Sequence, residues 1–138
     1  MRCKVYYMSQ RGSAEAVAEA VADQAGCAME PLLPAYMPEN VELMFLGCEG
    51  ARADRVTLQF IESLSPCRVR RAALFQCSSG GEALRQMREA LEARGVTVAE
   101  KTFQAPMKNL FGRGGPNAAH LENARAFARA LIESAQKA

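Results

Sequence analysis

The segment 4–21 constrains the fold of this chain more than any other part of it. An apolar run ends at a short polar loop, residues 9–13, and a helical pattern starts directly after that loop. From Ala14 to Ala25, alanine and valine recur at spacings of three and four residues, which predicts an amphipathic helix. A strand, a tight Ser/Gly loop and a helix together direct backbone N–H groups at an anion. The segment therefore predicts an α/β protein with an anion-binding loop near its start.

The rest of the chain also alternates apolar runs with helical periods, which predicts five strand–helix units. The predicted strands are Cys3–Met8, Met29–Leu33, Val41–Leu46, Ala72–Cys77 and Thr97–Phe103. The predicted helices are Ser13–Gln24, a second helix whose inner side runs from Ala53 to Leu64, Gly81–Arg94, and a last helix that starts near Asn117.

Two of the predicted strands have the character of sheet edges. Pro31 interrupts the second strand, and Glu100 and Lys101 place charge in the fifth. The third and fourth strands are almost continuously apolar, as expected for strands covered on both faces. This pattern predicts a single domain, residues 1–138, with a five-stranded parallel sheet in the order 2-1-3-4-5 and helices on both faces.

Composition narrows the class of protein. The chain has 138 residues, of which 49% are hydrophobic, and this is enough to build one sizeable core. Its net charge is only +2 and its basic residues are scattered, so nucleic acid binding is not predicted. No apolar run approaches the roughly 20 residues that cross a bilayer, and the first residues lack a signal peptide's apolar region. We expect a cytoplasmic protein without membrane insertion.

The cysteines and the single histidine indicate neither a disulfide framework nor a metal site. There are five cysteines, an odd number, and they are widely spread without a CxxC pair. We expect most of them to be buried or strand-end thiols in a reducing compartment. One histidine and scattered carboxylates do not make a recognisable metal cluster.

In the predicted sheet, the loops that follow the strands gather at one rim. They are residues 9–13, 47–52, 77–81 and 105–116. The first three are rich in Gly and Ser, which allows close backbone approach to a ligand. The rim is therefore the predicted ligand cleft.

Two chemistries of related folds are excluded by the residues at this rim. A phosphoacceptor domain needs paired acids after the first strand and an Asp after the third, but Ser9-Gln10 and Cys48-Glu49 stand there. A phosphatase with a cysteine nucleophile needs an arginine five residues after the cysteine. Cys77 lacks that arginine, so we interpret it as a buried thiol.

The loop 9–14 resembles the phosphate-binding loop of flavodoxins, whose pattern is roughly Thr/Ser-x-Thr/Ser-Gly-x-Thr. Ser9, Gly12 and Ser13 fit this pattern, whereas Arg11 and Ala14 replace residues that usually carry a hydroxyl group. Residues 75–81 are similar to the strand and loop beside the flavin, and residues 115–128 are similar to the closing helix of a bacterial branch of the family. The resemblance implies a three-layer flavodoxin-like sandwich.

This resemblance implies an FMN-binding electron-transfer protein that serves a redox partner protein, rather than a stand-alone enzyme with catalytic residues. In such proteins the chain binds the flavin and tunes its potential. The implied cofactor-binding residues are Ser9, Gln10, Arg11, Gly12, Ser13 and Ala14 at the phosphate, and Gly47, Cys48, Glu49, Gly50, Cys77, Ser78, Ser79 and Gly80 beside the isoalloxazine ring.

The flavin-flanking loops depart from the family pattern. Neither 47–50 nor 77–81 contains an aromatic residue, so a stacking contact worth about 0.5–1.5 kcal/mol is missing from each. Two alternatives therefore stand beside the electron carrier. One is an accessory or binding protein of this fold that has lost FMN, and the other is an FMN-dependent reductase of a small organic substrate.

Four basic residues fall on the predicted rim. They are Arg11, Arg52, Lys108 and Arg113. If these residues form one cluster, they predict a partner with an acidic docking face. If they are scattered, they are ordinary surface charge, and both interpretations remain open. His120 lies three residues after Asn117, a spacing that favours a surface or helix-capping residue over a catalytic base.

Overall fold

The computed structural model describes residues 1–32, 37–78 and 80–137, in which strands and helices alternate. The strands are β1 (Cys3–Tyr7), β2 (Ala28–Pro31), β3 (Val41–Glu49), β4 (Val69–Cys77), β5 (Thr97–Val98) and β6 (Phe103–Ala105). The helices are α1 (Ser13–Ala25), α2 (Arg55–Glu62), α3 (Glu82–Ala93) and α4 (Ala118–Lys137). Leu33, the predicted end of the second strand, lies outside the described residues.

The strands form one parallel sheet. Its order is β2-β1-β3-β4, and both β5 and β6 pair with β4 at the far edge. The predicted α/β class, parallel pairing and strand order are confirmed. The first strand lies inside the sheet, so its loop meets the loop of its neighbour β3 at the same rim.

The predicted fifth strand is wrong in one respect, because it is divided into β5 and β6. Ala72 pairs with Val98, and Phe75 pairs with Phe103. The edge segment between these two pairs is therefore two residues longer than the matching segment of β4. The extra residues do not pair with β4 and form a bulge between β5 and β6. The Arg88 guanidinium of α3 donates to the carbonyl oxygen of Ala99, at 2.6 Å, and thereby satisfies a backbone group that the interrupted ladder leaves free.

Helices cover both faces of the sheet, which confirms the three layers. On one face α1 and α4 pack over Phe45, Ala73 and Phe75, which alternate along β3 and β4. On the other face α2 and α3 pack over Met44 and Leu74. The alternation follows from the two-residue period of side chains along a strand. None of the helices described combines the length and apolar character that a bilayer span requires.

The expectation of mostly free thiols does not hold for two cysteines, because Cys3 and Cys27 form a disulfide with their Cα atoms 5.6 Å apart. Lys4 of β1 pairs with Ala28 of β2, so the two cysteines stand beside each other where these parallel strands begin. The spacing of the two cysteines in the sequence does not predict this strand register. The disulfide ties the edge strand β2 to the inner strand β1.

Candidate functional site

The loop between β1 and α1 joins the first strand directly to the first helix. Gly12 adopts φ +83° as the residue before α1, a left-handed conformation that glycine takes without strain. The next residue, Ser13, starts the helix and is fully buried. Backbone N–H groups of the first helical turn have no partner within the helix, so they are available to an acceptor.

That acceptor is the carboxylate of Glu49. One of its oxygens accepts hydrogen bonds from the backbone N–H groups of Gln10, at 3.1 Å, and Arg11, at 2.9 Å. The other oxygen accepts from the N–H of Ala14, at 2.9 Å, and from the Ser9 hydroxyl. Glu49 ends β3, and β3 is the neighbour of β1. A side chain from the adjacent strand therefore fills the loop.

The environment of Glu49 keeps this carboxylate charged. Burial by itself raises its pKa, but the hydrogen bonds from Ser9, Ala14, Arg11 and Gln10 favour the ionised form and together hold the pKa below its usual value. At neutral pH the loop therefore contains a negative charge supplied by the protein itself.

The other residues predicted beside the flavin ring serve the packing of the sheet. Gly47 pairs with Phe75, whose ring fills the space where a Cβ on Gly47 would lie. Gly50 donates its N–H to the carbonyl of Cys77 at 3.1 Å and accepts from the Gln76 side chain at 2.9 Å. These contacts bind the loop after β3 to the end of β4.

Cys48 and Cys77 are buried thiols, as the interpretation of Cys77 predicted. Burial, assisted by the nearby Glu49 carboxylate, raises the pKa of each to about 12. Such thiols stay protonated at neutral pH and are poor nucleophiles. The third free cysteine, Cys67, is exposed.

The loop after β4 borders an open depression. Ser78 and Arg11 line it, and its volume is about 630 Å³. Gly80 accepts a hydrogen bond from the Gln104 side chain of the neighbouring edge strand. Ser79, the remaining residue predicted here, lies outside the described residues.

A turn at residues 108–114 stands directly above the loop 9–14. Lys108 donates its backbone N–H to the Ser13 hydroxyl at 2.9 Å, and its carbonyl accepts from the Arg11 guanidinium at 3.0 Å. Lys108 also pairs with Gly114 in an antiparallel bridge, which closes the turn. The sequence placed this segment at the rim but did not predict that the loop 9–14 anchors it.

Of the four basic residues predicted at the rim, the structure brings Arg11 and Lys108 into contact, and Arg113 belongs to the same turn as Lys108. The hydrogen bond from Arg85 lowers the pKa of Glu82, and the charge of Arg52 adds a smaller effect in the same direction.

His120 has the capping role that its spacing predicted. Its backbone N–H donates to the Asn117 side chain at 2.9 Å, and its Nδ1 accepts from the Asn117 backbone N–H at 3.0 Å. This reciprocal pair is a capping box at the start of α4.

The residues present do not fit the phosphate of FMN in this conformation. The N–H groups of Gln10, Arg11 and Ala14 that would hold a phosphate already donate to Glu49. A phosphate dianion beside this carboxylate would also meet like charge at short range. The flanking loops add no aromatic side chain on which a flavin ring could stack.

Solved structures of flavodoxins share this architecture. A flavodoxin from the domain Archaea superposes with a TM-score of 0.76 at 14% identity, covering 99% of both chains. Oxidised flavodoxin 2 from Bacillus cereus gives 0.74 at 16% identity, covering 97% of this chain and 99% of its own. A short-chain flavodoxin associated with a non-canonical PDU bacterial microcompartment gives 0.72 at 17%, covering 98% and 99%.

No protein-family model matches the sequence, and no curated protein sequence matches it. At these identities the structural likeness defines the fold. The chain has the flavodoxin-like fold along nearly its whole length.

Proposed function

We propose that this protein works without FMN, as a flavodoxin-fold binding protein that engages a partner protein at the rim of its sheet. The observation that carries the proposal is the Glu49 carboxylate in the loop 9–14. Hydrogen bonds to a charged group contribute about 1.5–3 kcal/mol each when they replace contacts with water. A phosphate that displaces Glu49 must first overcome several such bonds.

The flavin-flanking loops support the same proposal. Gly47 is covered by the ring of Phe75, and Gly50 is held to β4 by two hydrogen bonds. This part of the rim is therefore filled with protein contacts. An electron carrier needs a tightly held flavin, and the residues that would hold it here are committed to each other.

The turn 108–114 supports a role in protein binding. Leu110 and Phe111 are 82% and 87% exposed, far more than other large apolar residues of the described chain. The Asn109 side chain accepts from the N–H groups of Phe111, at 2.9 Å, and Arg113, at 3.0 Å, so the turn is held in one shape. An exposed apolar pair on an ordered turn loses little freedom on binding, and this favours affinity.

Charge around the turn indicates the kind of partner. Residues 105–117 contain lysine and arginine but no acidic residue. Within the described part of the chain, the charged side chains of Arg11, Lys108 and Arg113 form no ion pair with a carboxylate. Lys108 and Arg113 belong to the turn that carries the apolar pair, and Arg11 contacts it, so the proposed partner presents an apolar cleft with an acidic border.

The first expected result is that the purified protein stays colourless after incubation with excess FMN and desalting. The measurement is the visible spectrum of the protein fraction, with a flavin-binding flavodoxin carried through the same column as the positive control. A yellow fraction with one FMN per chain would reject the proposal and favour the electron carrier that the resemblance implies.

The second expected result concerns the turn. We expect a photo-crosslinking amino acid at position 111 to capture a partner in the organism that makes this protein. The same group at position 42, which is exposed and distant, should not capture that partner. The double substitution Leu110→Ser/Phe111→Ser should weaken the affinity for that purified partner at least tenfold, because the apolar contact is lost.

Glu42→Ser is the control, since position 42 is exposed and lies at the other end of the sheet from the turn. It should leave the affinity unchanged, and added salt should weaken binding of the unsubstituted protein. Equal affinities of the double variant and the unsubstituted protein would remove the turn from the docking surface.

A further inference from the structure

We infer that the partner of the turn 108–114 is a second copy of this chain: the exposed pair Leu110 and Phe111 of one protomer docks into a groove between α1 and α4 of the other. The inference rests on the proposed function, because it takes the turn as the docking surface. It goes further in naming the partner and the surface that receives the turn.

The groove is an open space of about 390 Å³ where α1 and α4 pack together on one face of the sheet. Ala16 and Ala20 line it from α1, and Leu121 lines it from α4. The two alanines are one helical turn apart, so their side chains lie on the same face of α1. Because these side chains are small, they leave room between the helices for an apolar side chain from another molecule.

The border of the groove is acidic. Glu19 and Asp23 also line the groove, and each follows one of the two alanines by three residues. Both are exposed, and within the described part of the chain neither forms an ion pair. Arg125, the cation at the groove, is paired with Glu122 at 3.4 Å. The groove therefore presents negative charge that its own chain does not pair.

The turn carries the complementary set of groups. Its apolar pair matches the apolar lining of the groove, and Lys108 and Arg113 match the acidic border. Leu110 and Phe111 are 82% and 87% exposed, so the turn does not fill the groove of its own chain. One chain thus presents both halves of the contact with neither half occupied.

The positions of the two surfaces favour a dimer with two-fold symmetry. Lys108 donates its backbone N–H to the Ser13 hydroxyl at the start of α1, and the groove begins three residues further along that helix, at Ala16. The turn and the groove are therefore neighbours on one side of the molecule. A two-fold axis between them allows each turn to enter the groove of the other protomer, so the same contact forms twice.

The test measures the dimer Kd by sedimentation velocity at micromolar to millimolar protein concentrations. The unsubstituted protein should dimerise as its concentration rises, and added salt should raise the Kd. The turn variant Leu110→Ser/Phe111→Ser and the groove variant Glu19→Lys/Asp23→Lys should each raise the Kd by about tenfold or more. All four positions are exposed, so both variants should keep the fold, which circular dichroism checks.

A mixture of the two variants tests whether the turn meets the groove. The turn variant keeps its groove and the groove variant keeps its turn, so a mixed dimer retains one contact whereas each variant alone retains none. We expect dimers in the mixture at concentrations where each variant alone is monomeric. A mixture as monomeric as its components would overturn the pairing of the turn with the groove.

The matched control for the groove variant is Glu62→Lys/Glu92→Lys. It changes the net charge by the same amount at two exposed helical positions, but in α2 and α3, which cover the other face of the sheet. It should dimerise as the unsubstituted protein does. An equal loss of dimer in the control would overturn the assignment of the acidic border, because net charge alone would then explain the effect.

This inference and the proposed function fail in different ways. An unsubstituted protein that stays monomeric over the whole concentration range would overturn the contact between copies, while a different purified protein that binds at position 111 would leave the proposed function standing. Retention of FMN after desalting would reject the proposed function, and the mixed-variant measurement would still decide the contact between copies.

Discussion

Replacement of Gly47 by alanine is expected to lower the free energy of unfolding by about 3 kcal/mol or more. Gly47 lies in the centre of the sheet, and an added Cβ would overlap with the ring of its cross-strand neighbour Phe75. Phe75 is fully buried under α1 and α4, so its ring has no free space into which it could move. Urea unfolding followed by circular dichroism measures the loss.

Gly81→Ala is the matched control for this effect. Gly81 has φ −111°, an ordinary conformation, and no atom lies within 4 Å of the position of its added Cβ. Its substitution should cost less than about 1 kcal/mol, the scale of a helix-capping effect. Adding Phe75→Leu to Gly47→Ala should recover part of the stability. Equal stability of the two alanine variants would contradict the packing of Phe75 on Gly47.

Removal of the disulfide by the double substitution Cys3→Ser/Cys27→Ser is expected to cost about 3 kcal/mol of stability. The bond closes a loop between residues 24 positions apart, and it restricts the unfolded chain more than the folded one. Urea unfolding with and without a reducing agent measures this difference. The reductant should destabilise the unsubstituted protein and leave the double variant unaffected.

Cys67→Ser provides the control, since Cys67 is an exposed free thiol that should contribute little to stability. Alkylation of the protein unfolded without reductant should label the three free cysteines, Cys48, Cys67 and Cys77. Labelling of all five cysteines without reductant, or a stability that does not respond to reductant, would contradict the disulfide.

The architecture could be predicted because it follows from local patterns. The apolar runs at 41–46 and 72–77 are too continuous for strands with one solvent-exposed face. They therefore indicated inner strands, and the weaker second and fifth strands indicated the two edges of the sheet. Gly12 and the alternation around it similarly indicated the strand, loop and helix that form the anion-binding loop. Properties that depend on residues close in sequence were therefore accessible before the structure.

The fifth strand shows the limit of such patterns. Its alternation predicted one continuous strand, 97–103, but its register against β4 required two extra residues to leave the ladder. Carbonyl groups freed there are bound by Arg88, a residue of α3 that no pattern connects with this edge. Strand continuity is decided by the partner strand as well as by the strand's own residues.

The candidate site divides in the same way. The sequence by itself predicted an anion-binding loop at residues 9–14 and placed Glu49 at the same rim. Only the tertiary structure decided that these two features meet, because the parallel pairing of β1 with β3 brings the end of one strand beside the end of the other. The contact satisfies the N–H of Ala14, which the helix start leaves unpaired, and the N–H groups of two residues in the preceding loop. The contact joins residues 35 to 40 positions apart, so no local sequence pattern predicts it. As a result, the Glu49 side chain occupies the loop in which a ligand was expected.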